Sequence, residues 1–146
     1  MNLRALEAKD IPAVLSIQER SPEASQWLRR DYERVACGEM QGWVVEGPQG
    51  VIGFLVARQI FREIEILNLA VAPTARLHGA GSTLLAEALR WGQSLGATRA
   101  FLEVRASNQG ALRFYASRAF EITGRRPNYY SAPVEDALLL SHALGG

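Results

Sequence analysis

The stretch that decides the fold is Asn68-Leu-Ala-Val-Ala-Pro-Thr-Ala-Arg76-Leu-His-Gly79-Ala-Gly81-Ser-Thr-Leu-Leu85. In it an apolar strand pattern runs into a short loop with two closely spaced glycines, and an apolar-faced helix pattern follows at once. Glycines let a backbone pack tightly around a bound group, and the free N–H groups of a helix's first turn favour an anion. The stretch therefore predicts a phosphate-binding turn, and a phosphorylated cofactor is the first hypothesis for its ligand.

Two common nucleotide-binding motifs do not fit this turn. A P-loop requires a lysine directly after its last glycine, and a dinucleotide-binding turn requires Gly-x-Gly-x-x-Gly, but Ser, Thr and Leu follow Gly81. The pattern present is Arg76-x-x-Gly79-x-Gly81. Taken alone, this pattern also fits an ordinary strand–helix turn that contains glycine and binds nothing.

Composition predicts one globular domain over residues 1–146. The chain is 48% apolar and its net charge is +1, so we expect neither disorder nor a nucleic-acid or membrane partner, although the arginine-rich segment 99–126 could carry a local positive patch. The single cysteine, Cys37, excludes an internal disulfide framework and a zinc site of several thiolates, and we expect no metal. Without a bilayer-length apolar run or a signal-peptide pattern, a cytoplasmic protein is expected.

Periodicity and turn signals predict a mixed α/β fold. Helices are predicted over residues 11–19, 26–37, 79–96 and 108–117, and strands over residues 2–6, 43–46, 51–59, 65–71, 100–104, 120–124 and 136–140. Hairpins at the start, followed by strand–helix–strand–helix–strand, imply a mixed sheet of about seven strands with flanking helices and parallel strands in the middle.

Glu103 stands out because its strand is expected to be a central parallel strand that is buried on both faces. A charged group there is costly unless something satisfies it. In one interpretation Glu103 pairs with Arg105, two residues along on the same face. In the other, Glu103 is a carboxylate that lines a cleft and accepts a proton.

Asn108 and Tyr115 are seven residues apart on the helix that follows, which is about two turns and returns to nearly the same face. Asn108 is a good N-cap, and that alone would explain it. Tyr115 taken alone is more often a core aromatic residue. Because this face begins just beyond the end of the Glu103 strand, the glutamate and the tyrosine can point into one crevice.

Together these segments resemble the RimI family of the GNAT acetyltransferase superfamily, the ribosomal-protein-alanine N-acetyltransferases. The resemblance is good over residues 65–140 and loose over the first sixty residues. It is carried by Asn68-Leu-Ala-Val-Ala-Pro73, Arg76-x-x-Gly79-x-Gly81, Leu102-Glu-Val-Arg-Ala-Ser-Asn108, Ala111-Leu-Arg-Phe-Tyr115, Phe120-Glu-Ile-Thr-Gly-Arg-Arg126, Asn128-Tyr-Tyr130 and Glu135-Asp-Ala-Leu138. It implies the GNAT fold, in which the parallel strands of the mixed sheet splay apart at the middle.

The resemblance also implies the roles of the site residues, with acetyl-CoA as co-substrate. Glu103 would be the general base, and Tyr115 the general acid, in contact with the cofactor. The acetyl and pantetheine parts would bind to the backbone of Leu69, Ala70 and Val71 and to the side chain of Asn108. The pyrophosphate would lie on Arg76, Leu77, His78, Gly79, Ala80, Gly81 and Ser82. The residues Arg126, Asn128, Tyr129 and Tyr130 would form a loop that borders the acceptor peptide.

This set of residues suits direct attack of an amine on a thioester. A carboxylate can take the proton of an α-amino group, whose pKa is about 8. A backbone N–H of the strand 68–71 can stabilise the oxyanion, and a tyrosine can protonate the leaving thiolate. The leading hypothesis is acetylation of the N-terminal alanine of a small-subunit ribosomal protein. Alternatives are another amine acceptor (other protein N-termini, lysine or a small amine) or a non-catalytic CoA-binding module.

Departures from the family pattern concern the phosphate loop and acceptor selection. Leu77 and Ser82 replace more basic and polar residues, which removes positive charge near the phosphates. The segment Ser21-Pro-Glu-Ala-Ser-Gln-Trp27 replaces the family's Pro-Trp-Ser element, and Pro127 interrupts the Arg-Arg-Asn-Tyr-Tyr motif. These changes bear more on the substrate than on the reaction.

Overall fold

The structure is a computed structural model that describes residues 1–76 and 79–145. Leu77 and His78, both predicted to lie in the phosphate loop, are outside the described residues. In chain order the elements are β1 (Asn2–Ala5), α1 (Ile11–Glu19), α2 (Arg29–Ala36), β2 (Gln41–Gly47), β3 (Gly50–Ile60), β4 (Glu63–Val71), α3 (Ala80–Ser94), β5 (Arg99–Arg105), α4 (Gln109–Ala116), β6 (Glu121–Tyr130) and β7 (Glu135–Ala143). Every predicted helix and strand has a counterpart among them.

The strands form one mixed sheet in the order β1-β2-β3-β4-β5-β7-β6. Strands β4 and β5 are parallel, and the other neighbouring pairs are antiparallel. The helix α3 makes the long connection that a parallel pair requires. The predicted mixed sheet of seven strands with a parallel pair in its middle is therefore confirmed.

An apolar core lies on each face of the sheet, because side chains alternate along a strand. On β3, Leu55 packs with Leu84 and Leu85 of α3. The neighbouring Phe54 points the other way and packs with Ile11 and Val14 of α1. The helices therefore flank the sheet on both sides, with α1 and α2 against one face and α3 against the other.

The second helix is shorter than the predicted 26–37, because the chain before Arg29 is held in an extended conformation. Nε2 of Gln18 donates a hydrogen bond to the carbonyl oxygen of Trp27 at 2.8 Å. Leu28 then has φ −90° and ψ 161°, and the helix starts at Arg29. A contact from α1, which helical spacing cannot reveal, thus shifts the start of α2.

Two predictions about the second half of the sheet are wrong. The strand β5 is not buried on both faces: only Ala100 and Leu102, which share one face, are buried. It pairs with β7 along its whole length, but its ladder with β4 ends at Phe101. Residues 126–130 do not form a loop, since β6 runs on to Tyr130. Strand β6 is at the edge of the sheet, where Pro127 is tolerated because its ladder is already irregular between Arg126 and Tyr130.

Candidate active site

The site begins where β4 and β5 separate. The two strands pair only through residues Glu63, Ile64 and Glu65 on β4 and Arg99, Ala100 and Phe101 on β5. Beyond that point the register of β4 against β3 also shifts, with Val56 opposite Asn68 but Ala57 opposite Ile66, which leaves Leu67 as the extra residue of a bulge. The two strands therefore diverge and open the sheet.

The opening is a cleft of about 1300 Å³. This volume exceeds the roughly 300–1,000 Å³ that is usual for small-molecule sites, so an extended ligand and part of a second one fit together. The predicted site residues that line it are Leu69, Ala70, Val71, Arg76, Gly79, Ala80, Gly81, Ser82, Glu103, Asn108, Tyr115 and Tyr130. Arg126, Asn128 and Tyr129 stand outside this lining, on the exposed part of β6.

Glu103 lies on β5 with its side chain 16% exposed, and its Oε2 atom is 2.8 Å from Nε of Arg126. That oxygen is buried and accepts no hydrogen bond within the described part of the chain. The expected alternative, a pair between Glu103 and Arg105, is wrong. Arg105 instead pairs with Glu135 at 3.2 Å and donates to the carbonyl oxygens of Ser131 and Pro133.

Tyr115 is both a core residue and a cleft residue. It is 5% exposed, and its ring packs edge-on against Phe114 and Phe120 with ring centroids 5.1 and 5.3 Å apart. Burial raises the pKa of Tyr115 well above its usual value of about 10. The hydroxyl group therefore stays protonated throughout the physiological pH range and can act as a proton donor.

The turn between β5 and α4 is tied to β7 by Glu135. Its Oε2 accepts a 2.6 Å hydrogen bond from the Ser107 N–H, and hydrogen bonds from Ser107 and Arg105 lower the pKa of Glu135. The side-chain oxygen of Asn108 caps α4 by accepting from the Ala111 N–H at 3.1 Å. The cap uses the oxygen of Asn108, so the amide NH₂ remains available to a ligand in the cleft.

The glycine turn has the geometry of an anion cradle. Gly79 has φ +86°, a left-handed conformation that favours glycine, and it directly precedes α3. The first hydrogen bond of the helix runs from the Thr83 N–H to the Gly79 carbonyl oxygen at 3.0 Å. The N–H groups of residues 79–82 thus precede the hydrogen bonds of the helix, and all four residues line the cleft.

Two arginines on this side of the cleft were not singled out from the sequence. Arg113 and Arg118 line the cleft, and a guanidinium NH₂ group of Arg118 donates to the Ser82 hydroxyl. They supply positive charge beside a loop in which Leu77 and Ser82 replace the more basic and polar residues of the family pattern. The arginine-rich segment 99–126 was the available signal, but only the fold brings α4 and the residues after it to the cleft, where Phe114 lies next to Gly81. Arg76, by contrast, donates to the Val71 carbonyl oxygen and the Ser21 hydroxyl, both at 3.2 Å.

The side chain of Asn68 has a structural role that the sequence did not predict. It is 5% exposed, and its amide NH₂ donates to the Ser25 carbonyl oxygen and the Tyr32 hydroxyl at 3.1 and 3.0 Å. Its side-chain oxygen accepts from the N–H groups of Ser25 and Leu69 at 3.2 and 3.1 Å. One side chain thus joins the bulge of β4 to the segment between α1 and α2 that forms one wall of the cleft. A polar residue inside an apolar strand was the signal for it.

Several features away from the cleft are also defined. Cys37 is exposed, and Nδ1 of His142 donates a 3.1 Å hydrogen bond to the Ala119 carbonyl oxygen. In residues 1–76 and 79–145 no group of three or more His, Cys, Asp or Glu side chains is placed to hold a metal ion. No helix within the same residues has the length and apolar character needed to cross a bilayer.

Comparison with known proteins identifies the family. Residues 6–120 match the acetyltransferase (GNAT) family model. The chain therefore belongs to the GNAT acetyltransferase family, it is an acyltransferase, and the resemblance inferred from its motifs is confirmed.

Individual relatives are similar along almost the whole chain. The [ribosomal protein bS18]-alanine N-acetyltransferase of Escherichia coli (strain K12) is 27% identical over 141 residues, which cover 95% of this chain and 95% of the relative. The crystal structure of the ribosomal-protein-S18-alanine N-acetyltransferase from Escherichia coli matches with a TM-score of 0.86 and 25% identity, over 99% of this chain and 94% of that one. Arabidopsis thaliana NAA60, crystallised in complex with acetyl-CoA, shares the fold with a TM-score of 0.87, at 19% identity over 99% of each chain.

The network around Asn68 gives a test of how the cleft wall is held. Asn68→Leu keeps the size of the side chain but leaves Ser25 and Tyr32 without partners, so we expect the free energy of unfolding to fall by about 2–3 kcal/mol in urea denaturation. The segment 21–27 should also become easier to cleave by protease. The control is Ser25→Ala, which removes one 3.4 Å hydroxyl contact and keeps the backbone bonds. It should change stability by less than about 0.5 kcal/mol, and an equal loss in both variants would contradict the role of Asn68.

Proposed function

We propose that this chain is an acetyl-CoA-dependent N-acetyltransferase that modifies the N-terminal α-amino group of a ribosomal protein whose first residue is alanine. The observation that carries the proposal is the opening between β4 and β5, in which Glu103 and Tyr115 line the same cleft. The similarity to alanine N-acetyltransferases of ribosomal protein bS18 supports this acceptor. Glu103, Tyr115 and the residues of the glycine turn that line the cleft keep the roles that the family resemblance implies.

The cleft would hold acetyl-CoA through backbone groups and through positively charged side chains. The amides of Gly79, Ala80, Gly81 and Ser82 would hold the pyrophosphate, with Arg113 and Arg118 as additional cations for its phosphates. The backbone of Leu69, Ala70 and Val71 would run beside the pantetheine arm, toward which Asn108 offers its amide NH₂. When bound, the co-substrate supplies an activated acetyl thioester.

The reacting groups would be held between β5 and α4. Glu103 would accept the proton of the acceptor's α-ammonium group, directly or through water, because that group has a pKa of about 8 and releases its proton readily. Tyr115 would give its hydroxyl proton to the departing thiolate. Direct attack requires no nucleophile from the protein, and the exposed Cys37, at the end of α2, lies outside the cleft lining.

The acceptor would enter from the side of residues 21–27 and Tyr130. The segment 21–27 and the ring of Tyr130 line the cleft beyond Glu103. Burial, and next the negative charge of Glu103, raise the pKa of Tyr130. Arg105 stacks on the same ring with its guanidinium carbon 4.5 Å from the centroid and thereby fixes it at the cleft mouth.

The function is tested by thiol release from acetyl-CoA in the presence of a short alanine-first peptide, compared with polyamines and lysine analogues. We expect thiol release with the peptide but not with polyamines or lysine analogues. Glu103→Gln should lower turnover roughly 10²-fold and leave the affinity for acetyl-CoA unchanged. The matched control is Glu65→Gln, since Glu65 is also a partly buried carboxylate, 14% exposed and paired with Arg58, but lies outside the cleft lining. A Glu103→Gln variant as fast as the wild type would remove Glu103 from the role of base, and release with polyamines alone would point to a small amine as acceptor.

The proposed role of Tyr115 gives a separate prediction. Tyr115→Phe keeps the ring between Phe114 and Phe120 and removes only the hydroxyl, so we expect a loss of turnover of roughly 10²-fold without a loss of acetyl-CoA affinity. Because burial raises the pKa of Tyr115, its ionisation should not limit the wild-type rate on the alkaline side up to about pH 10. Steady-state rates as a function of pH measure both effects, and unchanged kinetics would leave Tyr115 with a packing role only.

The arginines beside the glycine turn make a third prediction. Arg118→Gln should weaken acetyl-CoA binding about tenfold in calorimetric titration, because a charge-assisted hydrogen bond to phosphate is worth about 1.5–3 kcal/mol. Arg90→Gln is the control: Arg90 is on α3, the helix that Arg118 contacts through Ser82, but it pairs with Glu87 and is 70% exposed outside the cleft. Equal affinities in the two variants would contradict a phosphate contact of Arg118.

A further inference from the structure

The ion pair of Glu103 has a feature that its proposed role as base does not explain. Its Oε2 atom is buried and 2.8 Å from Nε of Arg126, yet it accepts no hydrogen bond from any described residue. The Glu103 side chain is 16% exposed, whereas that of Arg126 is 59% exposed. The contact is therefore electrostatic and not directional, between a carboxylate inside the site and a guanidinium that reaches it from the surface.

The sheet register explains how the two side chains meet across β7. Ala137 on β7 lies opposite Arg105 on one side and opposite Arg126 on the other, and Glu103 lies opposite Leu139. Because Ala137 carries only a methyl group, the guanidinium of Arg126 can pass over β7 to the carboxylate. Arg105, the nearer cation in sequence, is occupied by Glu135 and by two carbonyl oxygens.

Arg126 also has a second partner close to its present position. Its guanidinium carbon lies 5.8 Å from the centroid of the Tyr129 ring, which is 54% exposed. That distance allows a cation–π interaction. Away from Glu103, the guanidinium would remain in water and beside an aromatic face, so Arg126 itself loses little when it moves. The buried carboxylate would not be left without a partner, because another cation takes the place of Arg126.

We infer that Arg126 is a placeholder cation, which occupies the Glu103 carboxylate until the α-ammonium group of the acceptor replaces it. This inference rests on the proposed function. A proton can pass from the ammonium group to Glu103 only when that group reaches the carboxylate, and a second cation at the same oxygen repels it. After transfer the nitrogen carries a neutral amide, so the product no longer competes with Arg126.

Arg126 would then be a positioning residue that acts through Glu103 and favours a charged acceptor over its own acetylated product. The family resemblance instead places Arg126 against the acceptor peptide as a binding residue. The two roles predict opposite effects. Removal of a binding residue weakens the binding of the acceptor. Removal of a competing cation strengthens the binding of a positively charged acceptor and leaves the binding of a neutral peptide unchanged.

The test is steady-state kinetics of Arg126→Gln with saturating acetyl-CoA, an alanine-first hexapeptide as acceptor, and the same hexapeptide N-acetylated as inhibitor. We expect the KM of the free peptide to fall about fivefold, because the peptide no longer competes with a largely exposed guanidinium for the carboxylate. The inhibition constant of the acetylated peptide should not change. Arg126→Lys keeps the cation and should restore the wild-type KM.

Arg125→Gln is the matched control. Arg125 is the preceding residue on β6, and it pairs with Asp136 at 2.6 Å instead of reaching toward Glu103, so neither constant should change. A higher KM in Arg126→Gln would overturn the inference and make Arg126 an acceptor contact. An equal change in the KM of the free peptide and the inhibition constant of the acetylated peptide would also overturn it. Such a result would indicate a general disturbance of β6, which affects charged and neutral peptides alike. A wild-type protein that releases no thiol with the peptide would overturn the proposed function itself, and this inference with it.

Discussion

The separation of β4 from β5 is the constraint on which the rest of the site depends. A parallel pair in the middle of a sheet normally buries its edges, but here the ladder ends at Glu65 and Phe101. A buried backbone group without a partner costs about 1–3 kcal/mol, so an opened sheet has to offer other partners. Asn68 provides one of them for the N–H of Leu69, and the remaining edges face a cleft of about 1300 Å³. The same opening that weakens the sheet creates the place for a ligand.

Charge is distributed unevenly along this cleft. At one end, free helix amides and the guanidinium groups of Arg113 and Arg118 favour an anion; in the middle, Glu103 favours a cation. An anionic donor and a cationic acceptor would therefore each be attracted to a different part of the cleft. Under the proposed function, this arrangement would orient the acceptor toward the donor without a covalent intermediate on the protein. The ion pair of Glu103 and Arg126 matters in it because Arg126 occupies the carboxylate that would attract the acceptor.

Much of the fold was predictable because it depends on local rules. Helix α1 begins and ends at the predicted residues, since a proline in the first turn and apolar spacing suffice to define it. The left-handed Gly79 before α3 follows from the glycine-rich turn in the same way. The predictions failed where a distant partner intervenes: Gln18 delays the start of α2, and pairing with β7 extends β6 through Pro127 to Tyr130. Neither partner is visible in the local pattern.

The sequence by itself determined the strand and helix order, the glycine turn, and the presence of Glu103, Asn108 and Tyr115 on adjoining elements, because periodicity, capping and turn chemistry act over a few residues. Only the tertiary structure decided which groups meet. It brought Arg126 rather than Arg105 to Glu103, and it placed Arg118 beside Ser82. The physical reason is that ion pairs and hydrogen bonds form between neighbours in space, and in this sheet those neighbours come from strands and helices that are far apart along the chain.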